Sequence, residues 1–187
     1  MRVYLAGPDV FLPDPFARVA ALKEICARHG LLGVSPLDAL AGEPAAWSAL
    51  PEAHRIAQRN EAHIRTCQAL IANLTPFRSS SADAGTVLEV GFARALGLPV
   101  FAWSNDARPF TERTRAFLGA AARRGADGLR DAEGLLVEDF SLADNLMIEG
   151  AVLASGGTLT LGDVPESARW QDFGAFARAV GALARLS

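Results

Sequence analysis

The chain has 187 residues, half of them hydrophobic, and a formal net charge of −3 at pH 7. This length favours one compact domain, because each half of the chain would be too short to bury a sufficient core. The lysine and arginine residues are scattered along the sequence, which excludes the basic stripe typical of proteins that bind nucleic acid polymers.

Short apolar runs alternate with amphipathic segments through the first half of the chain. Such alternation implies right-handed crossovers and a parallel sheet. We therefore predict a single-domain, three-layer α/β/α fold that is flavodoxin-like or Rossmann-like, with a doubly wound parallel sheet of about five strands. The predicted strands are 3–6, 31–35, 69–74 and 99–103, and the predicted helices between them are 16–29, 53–66 and 86–96.

The second half of the chain has weaker patterns. They predict a helix at 111–124, a short edge strand at 135–137, a helix at 145–154 and a terminal helix at 173–186. The stretch 155–167 is rich in Gly, Ser and Pro and is predicted to be a surface loop. We expect residues 1–187 to form one domain, of which 151–187 are a C-terminal extension.

Several common sites are missing from the sequence. Cys26 and Cys67 lie in apolar stretches and are expected to be buried free thiols, and the three histidines do not have the spacing of metal ligands. No P-loop, G-x-G-x-x-G or G-x-S-x-G motif follows a predicted strand. No segment approaches about 20 apolar residues, so we expect a cytoplasmic protein that does not associate with membranes.

Polar residues follow the carboxyl end of each predicted strand. In an open parallel sheet, ligands bind at that edge, near the point where the strand order reverses. This rule nominates Gly7 after the first strand and the loops 36–38, 73–78 and 104–106 after the others. The third loop leads into the stretch DAGTVLEVGFARALGLPV, so Asp83 and Glu89 are expected to border the same cleft.

Glu89 has two interpretations at this stage. Thr86 and Glu89 have the T-x-x-E spacing of a helix capping box, in which Glu89 would have only a structural role. The surrounding helix is otherwise almost entirely apolar, which would desolvate the carboxylate and raise its pKa. Amides of the first helical turn would then keep Glu89 ionised but poorly hydrated, a state suited to a nucleophile.

Four motifs together resemble those of the nucleoside 2-deoxyribosyltransferases. They are VYLAGPDVFLP, IANLTPFR, DAGTVLEVGFARALGLPV and EDFSLADNLM, in the order typical of that family. The resemblance covers residues 1 to about 150 and fades beyond them.

The resemblance implies a role for several residues. Glu89 matches the catalytic nucleophile of the family, Asp83 matches the aspartate that contacts the nucleobase and handles its proton, and Tyr4 matches the tyrosine that orients the nucleophile. Asn145 matches an asparagine that reaches the sugar hydroxyls bound in a neighbouring subunit.

Further positions are expected to bind the substrate. Gly7 and Phe11 lie in the first loop, and Gly85 begins the family's nucleophile motif. Asn60 stands where some members carry a base-contacting aspartate, which leaves the preference for purines or pyrimidines open. Asn73 stands where several members have aspartate, and it is expected either to contact the sugar or base or to cap its loop.

The implied reaction exchanges the nucleobase of a 2′-deoxynucleoside through a covalent deoxyribosyl-glutamate intermediate, with retention of the β-configuration. It needs no metal or organic cofactor. The implied partners are deoxynucleosides, free nucleobases and further copies of the chain, in a dimer, tetramer or hexamer with shared active sites. Three alternatives remain open: hydrolysis of deoxynucleoside 5′-monophosphates with Arg78 near the phosphate, a non-catalytic nucleoside-binding module, and a purely capping Glu89.

Overall fold

A parallel sheet of five strands forms the centre of the computed structural model, which describes residues 1–186. The strands are β1 (Arg2–Ala6), β2 (Leu32–Val34), β3 (Ala69–Asn73), β4 (Val100–Ser104) and β7 (Leu159–Leu161), in the order β2-β1-β3-β4-β7. A separate antiparallel hairpin consists of β5 (Arg123–Gly125) and β6 (Gly128–Arg130). The predicted doubly wound α/β/α fold is confirmed.

Within residues 1–186, six α-helices accompany the sheet: α1 (Pro15–Arg28), α2 (Glu52–Arg65), α3 (Ala84–Ala95), α4 (Phe110–Leu118), α5 (Leu146–Ala154) and α6 (Gly174–Ala184). Alternate residues of each strand point to opposite faces of the sheet. Val3 and Leu5 therefore join the core formed with α1 and α6, whereas Tyr4 and Ala6 join the core formed with α3 and α5. Both layers of helices are thus anchored by the same short strands.

The chain reverses its direction of travel across the sheet at β1. From β1 it first crosses to β2 on one side and then returns to β3 on the other. The loops after β1 and β3 diverge at that point and leave a crevice at their carboxyl ends. The fold therefore places Gly7 and the loop before α3 beside each other.

Three predictions for the second half were wrong. The helix predicted at 111–124 ends at Leu118, because Gly119 adopts a φ of +56° and the chain then enters the β5–β6 hairpin. The edge strand predicted at 135–137 is only a single bridge between Leu136 and Arg130. The predicted surface loop 155–167 contains β7, the fifth strand of the sheet, which is short and half exposed and has no continuous apolar run.

The structure also bears on the two cysteines, on metal binding and on membrane-spanning helices. Cys26 and Cys67 are buried free thiols, as predicted. Within residues 1–186, no three His, Cys, Asp or Glu side chains gather in a cluster that could hold a metal ion. None of the described helices is both long enough and apolar enough to span a bilayer.

Candidate active site

A small cavity of about 110 Å³ opens at the carboxyl end of β1. Its walls come from the loops after β1 and β2, from α2, and from the N-cap and first two turns of α3, which are far apart in sequence. Six of the predicted site residues meet there. The lining residues are Gly7, Val10, Phe11, Pro36, Asn60, Asp83, Gly85, Thr86 and Glu89.

Glu89 is held in this cavity by side chains from two other elements. The Tyr4 hydroxyl on β1 donates a hydrogen bond of 2.6 Å to Glu89 Oε1, and Asn60 Nδ2 on α2 donates to the same oxygen at 3.4 Å. No donor among residues 1–186 hydrogen-bonds Glu89 Oε2. One carboxylate oxygen is therefore fixed by the protein while the other remains available to a substrate.

Burial dominates the protonation of the Glu89 carboxyl. Burial and, to a smaller extent, the negative charge of Asp83 raise the pKa of Glu89, the hydrogen bonds from Tyr4 and Asn60 oppose the rise, and the net result is a pKa of about 7. Burial also raises the pKa of Tyr4 far above its usual range, so Tyr4 remains a neutral donor. Near neutral pH, Glu89 thus titrates between a protonated form and a poorly hydrated anion.

The capping box expected at Thr86 and Glu89 does not form. Asp83 is the N-cap of α3, and its Oδ2 accepts hydrogen bonds from the Thr86 backbone N–H at 2.9 Å and from Thr86 Oγ1 at 3.0 Å. Glu89 lies in the second turn and bonds Tyr4 instead. The expectation that first-turn amides keep Glu89 ionised was therefore wrong, since they serve Asp83, and the pKa of Glu89 rises.

Gly7 allows the loop after β1 to pass close to β3. A Cβ atom at Gly7 would lie 2.5 Å from Asp9 Oδ2 and 2.7 Å from Asn73 Cβ, well inside contact distance. Only glycine fits this approach, which closes one side of the cavity. Gly7 thus shapes the cavity by allowing this close approach. In the sequence, only its position at the end of a strand pointed to it.

The Glu89 cavity lies within a stretch that matches a known family. A profile of the family described as nucleoside 2-deoxyribosyltransferase matches residues 3–147. The chain belongs to this family.

Three individual proteins are similar to this chain. An uncharacterized protein of Schizosaccharomyces pombe is 32% identical over 165 residues, which are 83% of this chain and 78% of the relative. A solved 2-desoxiribosyltransferase from Leishmania mexicana is 31% identical, with a TM-score of 0.65 over 96% of this chain and 97% of that one. A conserved protein from Enterococcus faecalis has the same fold at 21% identity, with a TM-score of 0.56 over 97% of both chains.

Asn73 has a different environment from the residues that line the cavity of this nucleoside 2-deoxyribosyltransferase family member. Its Nδ2 donates to Asp9 Oδ2 at 2.9 Å, its Oδ1 accepts from the Thr75 N–H at 3.1 Å, and it is 1% exposed. Asn73 therefore supports the loop after β1 through its hydrogen bond to Asp9. The structure does not bring it together with Glu89.

Asn145 lies away from the Glu89 cavity of its own chain. It is the N-cap of α5, where its Oδ1 accepts from the Met147 N–H at 3.0 Å and its Nδ2 donates to Glu138 Oε2 at 2.8 Å. It borders a separate groove of about 620 Å³, formed with a face of α3 that carries Val87 and Gly91 rather than Glu89. One chain therefore does not unite Asn145 with Glu89.

The loop 77–81, with the sequence FRSSS, is held by hydrogen bonds of its own serines. Ser79 Oγ accepts from the Ser81 N–H and donates to the Ser81 carbonyl, both at 3.1 Å. Ser80 Oγ accepts from Thr114 Oγ1, and Ser81 Oγ donates to the buried Asp144. The three hydroxyls thus fix the loop that leads into Asp83.

Proposed function

We propose that this chain is a nucleoside 2-deoxyribosyltransferase that exchanges the nucleobase of 2′-deoxynucleosides. The observation that carries the proposal is a pair of carboxylates in one cavity. Glu89 has one oxygen fixed by Tyr4 and one oxygen open, and Asp83 lines the same walls. A purely capping role for Glu89 is not compatible with these contacts, because Asp83 is the residue that caps α3.

The proposed reaction proceeds in two displacements at C1′ of the sugar. Glu89 Oε2 forms a bond to C1′ while the C1′–N bond breaks, and the departing base takes up that electron pair and a proton that Asp83 relays from solvent. A second base then returns its proton to Asp83 and attacks C1′, and the bond to Glu89 breaks. Two inversions restore the β-configuration, and the kinetics are ping-pong.

A base-exchange assay tests this function directly. Purified protein incubated with deoxyinosine and adenine is expected to produce deoxyadenosine and hypoxanthine in equal amounts, measured by chromatography, without free deoxyribose. Mass spectrometry of the protein mixed with deoxyinosine alone is expected to show a deoxyribosyl adduct on the peptide that contains Glu89. Absence of exchange with every deoxynucleoside tested would contradict the proposal.

Hydrolysis of deoxynucleoside 5′-monophosphates is the second candidate, and Arg78 is the observation in its favour. The Arg78 guanidinium lies 5.5 Å from the centroid of Phe11 and forms no ion pair with any residue from 1 to 186. Against this candidate, all three serines of the loop are engaged inside the protein. Release of deoxyribose 5-phosphate from a deoxynucleotide without an acceptor base would favour hydrolysis.

We also propose that two copies of the chain share their active sites. Exposed apolar side chains lie beside both halves of such a site: Leu88 next to Glu89, and Met147 next to Asn145. A second copy that covers these surfaces would bring its Asn145 to the Glu89 cavity of the first. Twofold symmetry would then create two equivalent sites.

Subunit mixing tests the shared site. Glu89→Ala and Asn145→Ala are each expected to be inactive alone, because every site in either protein lacks one residue. Co-refolded in equal amounts, they are expected to recover roughly one quarter of wild-type activity, since about half of the dimers are hybrids with one intact site of two. Each variant refolded alone is the control. No recovery in an oligomer of normal size would show that Asn145 acts within its own subunit or not at all.

A further inference from the structure

A row of aromatic side chains connects the candidate active site with the C-terminal extension. The rings of Phe11 and Phe77 are stacked with centroids 5.5 Å apart, and Trp170 meets Phe77 edge-on at 6.2 Å. Phe11 is 57% exposed and lines the Glu89 cavity. The row therefore ends at an aromatic ring that is open to a ligand.

Buried polar side chains hold the backbone on both sides of Trp170. Arg18 Nη1 donates to the Trp170 carbonyl at 2.8 Å, and Asn105 Nδ2 donates to the carbonyls of Arg169 and Asp172 at 2.8 and 2.9 Å. Because three carbonyls within four residues are satisfied by buried donors, the indole ring projects from a fixed piece of backbone.

The same arginine connects this backbone to the turn that carries Phe11. Arg18 Nε forms a buried ion pair of 2.7 Å with Asp9, and Asp9 and Phe11 belong to one short 3-10 turn (Pro8–Phe11). The two ends of the aromatic row are therefore fixed relative to each other. Phe77 is the intervening ring, and Trp170 limits its movement away from Phe11.

We propose that Trp170 is a positioning residue that determines base specificity by fixing the Phe77–Phe11 wall on which the nucleobase stacks. The proposal rests on the proposed base exchange. Trp170 lies beyond residues 3–147, the stretch that matches the family. A purine overlaps more of an aromatic wall than a pyrimidine does, so it depends more on the position of that wall.

Trp170→Ala is expected to weaken purine binding while leaving the chemistry intact. The KM for adenine as acceptor should rise roughly threefold to tenfold, and that for cytosine about twofold or less. The kcat at saturating base and its pH profile should not change, because Trp170 contacts neither Glu89 nor Tyr4. A purely structural role would lower the melting temperature and would affect both bases equally.

Three further variants make this test decisive. Trp170→Phe keeps an edge-on ring and should restore the adenine KM, whereas Trp47→Ala removes a tryptophan outside the row and should change nothing. Phe77→Leu should reproduce the effect of Trp170→Ala, and the double variant should be no worse than either, because both act through one wall. An unchanged preference between adenine and cytosine in Trp170→Ala and in Phe77→Leu would overturn the proposal.

Calorimetry separates this inference from the proposed function. Adenine affinity, measured without turnover, should fall in Trp170→Ala even if no deoxynucleoside is ever converted. If the wild type exchanges bases and Trp170→Ala binds adenine as tightly as the wild type, the inference about Trp170 fails and the function stands. If the wild type binds adenine more tightly than Trp170→Ala but exchanges nothing, the function fails and the aromatic wall stands.

Discussion

Glu89→Gln is expected to lower base exchange by about 10⁴-fold or more. Glutamine preserves the shape of the side chain, and its carbonyl oxygen can still accept the hydrogen bond from Tyr4. The amide nitrogen that replaces Oε2, however, has no available lone pair to attack C1′. The initial rate of deoxyadenosine formation measures the effect, and burst kinetics show whether any adduct forms. Activity within tenfold of the wild type would contradict the assignment of the nucleophile.

The same substitution is expected to stabilise the protein, and more so at high pH. In the folded state the pKa of Glu89 is about 7, compared with an ordinary value of 4.5. A raised pKa means that the folded state binds the proton more tightly, so this stabilisation is complete below about pH 4.5 and is lost as pH rises to about 7. Glutamine does not ionise, so its protein keeps this stability. The difference in the free energy of unfolding is on the order of 3 kcal/mol above pH 8.

Denaturant unfolding of both proteins at pH 5 and pH 8 measures this difference. The free energy of unfolding of Glu89→Gln should exceed that of the wild type by more at pH 8 than at pH 5. Glu133→Gln is the matched control, because Glu133 is exposed and its substitution should produce no pH-dependent gap. Wild-type turnover should rise with pH through about 7, since the nucleophile must be ionised. An equal gap at both pH values would show that Glu89 is not desolvated.

Local patterns account for how much of the fold was predictable. Strand β3 (Ala69–Asn73) is apolar except for Asn73 because both faces of a parallel sheet are covered by helices. Strand β7 lacks that signature, because it lies at the edge of the sheet and spans three residues. The end of α4 was missed because Ala120–Ala122 continue a helical composition, and only the conformation of Gly119 stops the helix.

In the candidate site, too, residues in a local motif could be predicted, whereas contacts between residues distant in sequence could not. Asp83 and Glu89 could be nominated from one motif and one topological rule. The partners of Glu89 could not be derived from its helix, since Tyr4 is 85 residues away in sequence and Asn60 is 29 residues away. Trp170 carries no motif, and only the tertiary contact with Phe77 reveals it. Sequence thus nominated Asp83 and Glu89 as the candidate pair, and packing raises the pKa of Glu89.

Asp83→Asn is expected to separate proton transfer from helix capping. Asparagine is as good an N-cap as aspartate, and its Oδ1 can accept from the Thr86 N–H, so the free energy of unfolding should change by less than about 0.5 kcal/mol. The amide cannot shuttle a proton to the departing base, so base exchange should fall by roughly 10²-fold to 10³-fold. Deoxynucleosides whose bases depart without protonation should lose much less.

Asp83→Ala provides the comparison, because it removes both functions. It should match Asp83→Asn in catalysis and should in addition cost about 1 kcal/mol of stability through loss of the cap. Both variants also remove the negative charge that raises the pKa of Glu89, so the rise of activity with pH should move to lower pH. Near-normal exchange by a stable Asp83→Asn protein would mean that Asp83 only caps α3 and that another donor protonates the base. A low rate combined with an unshifted pH profile would mean that Asp83 handles the proton but does not interact with Glu89 across the cavity.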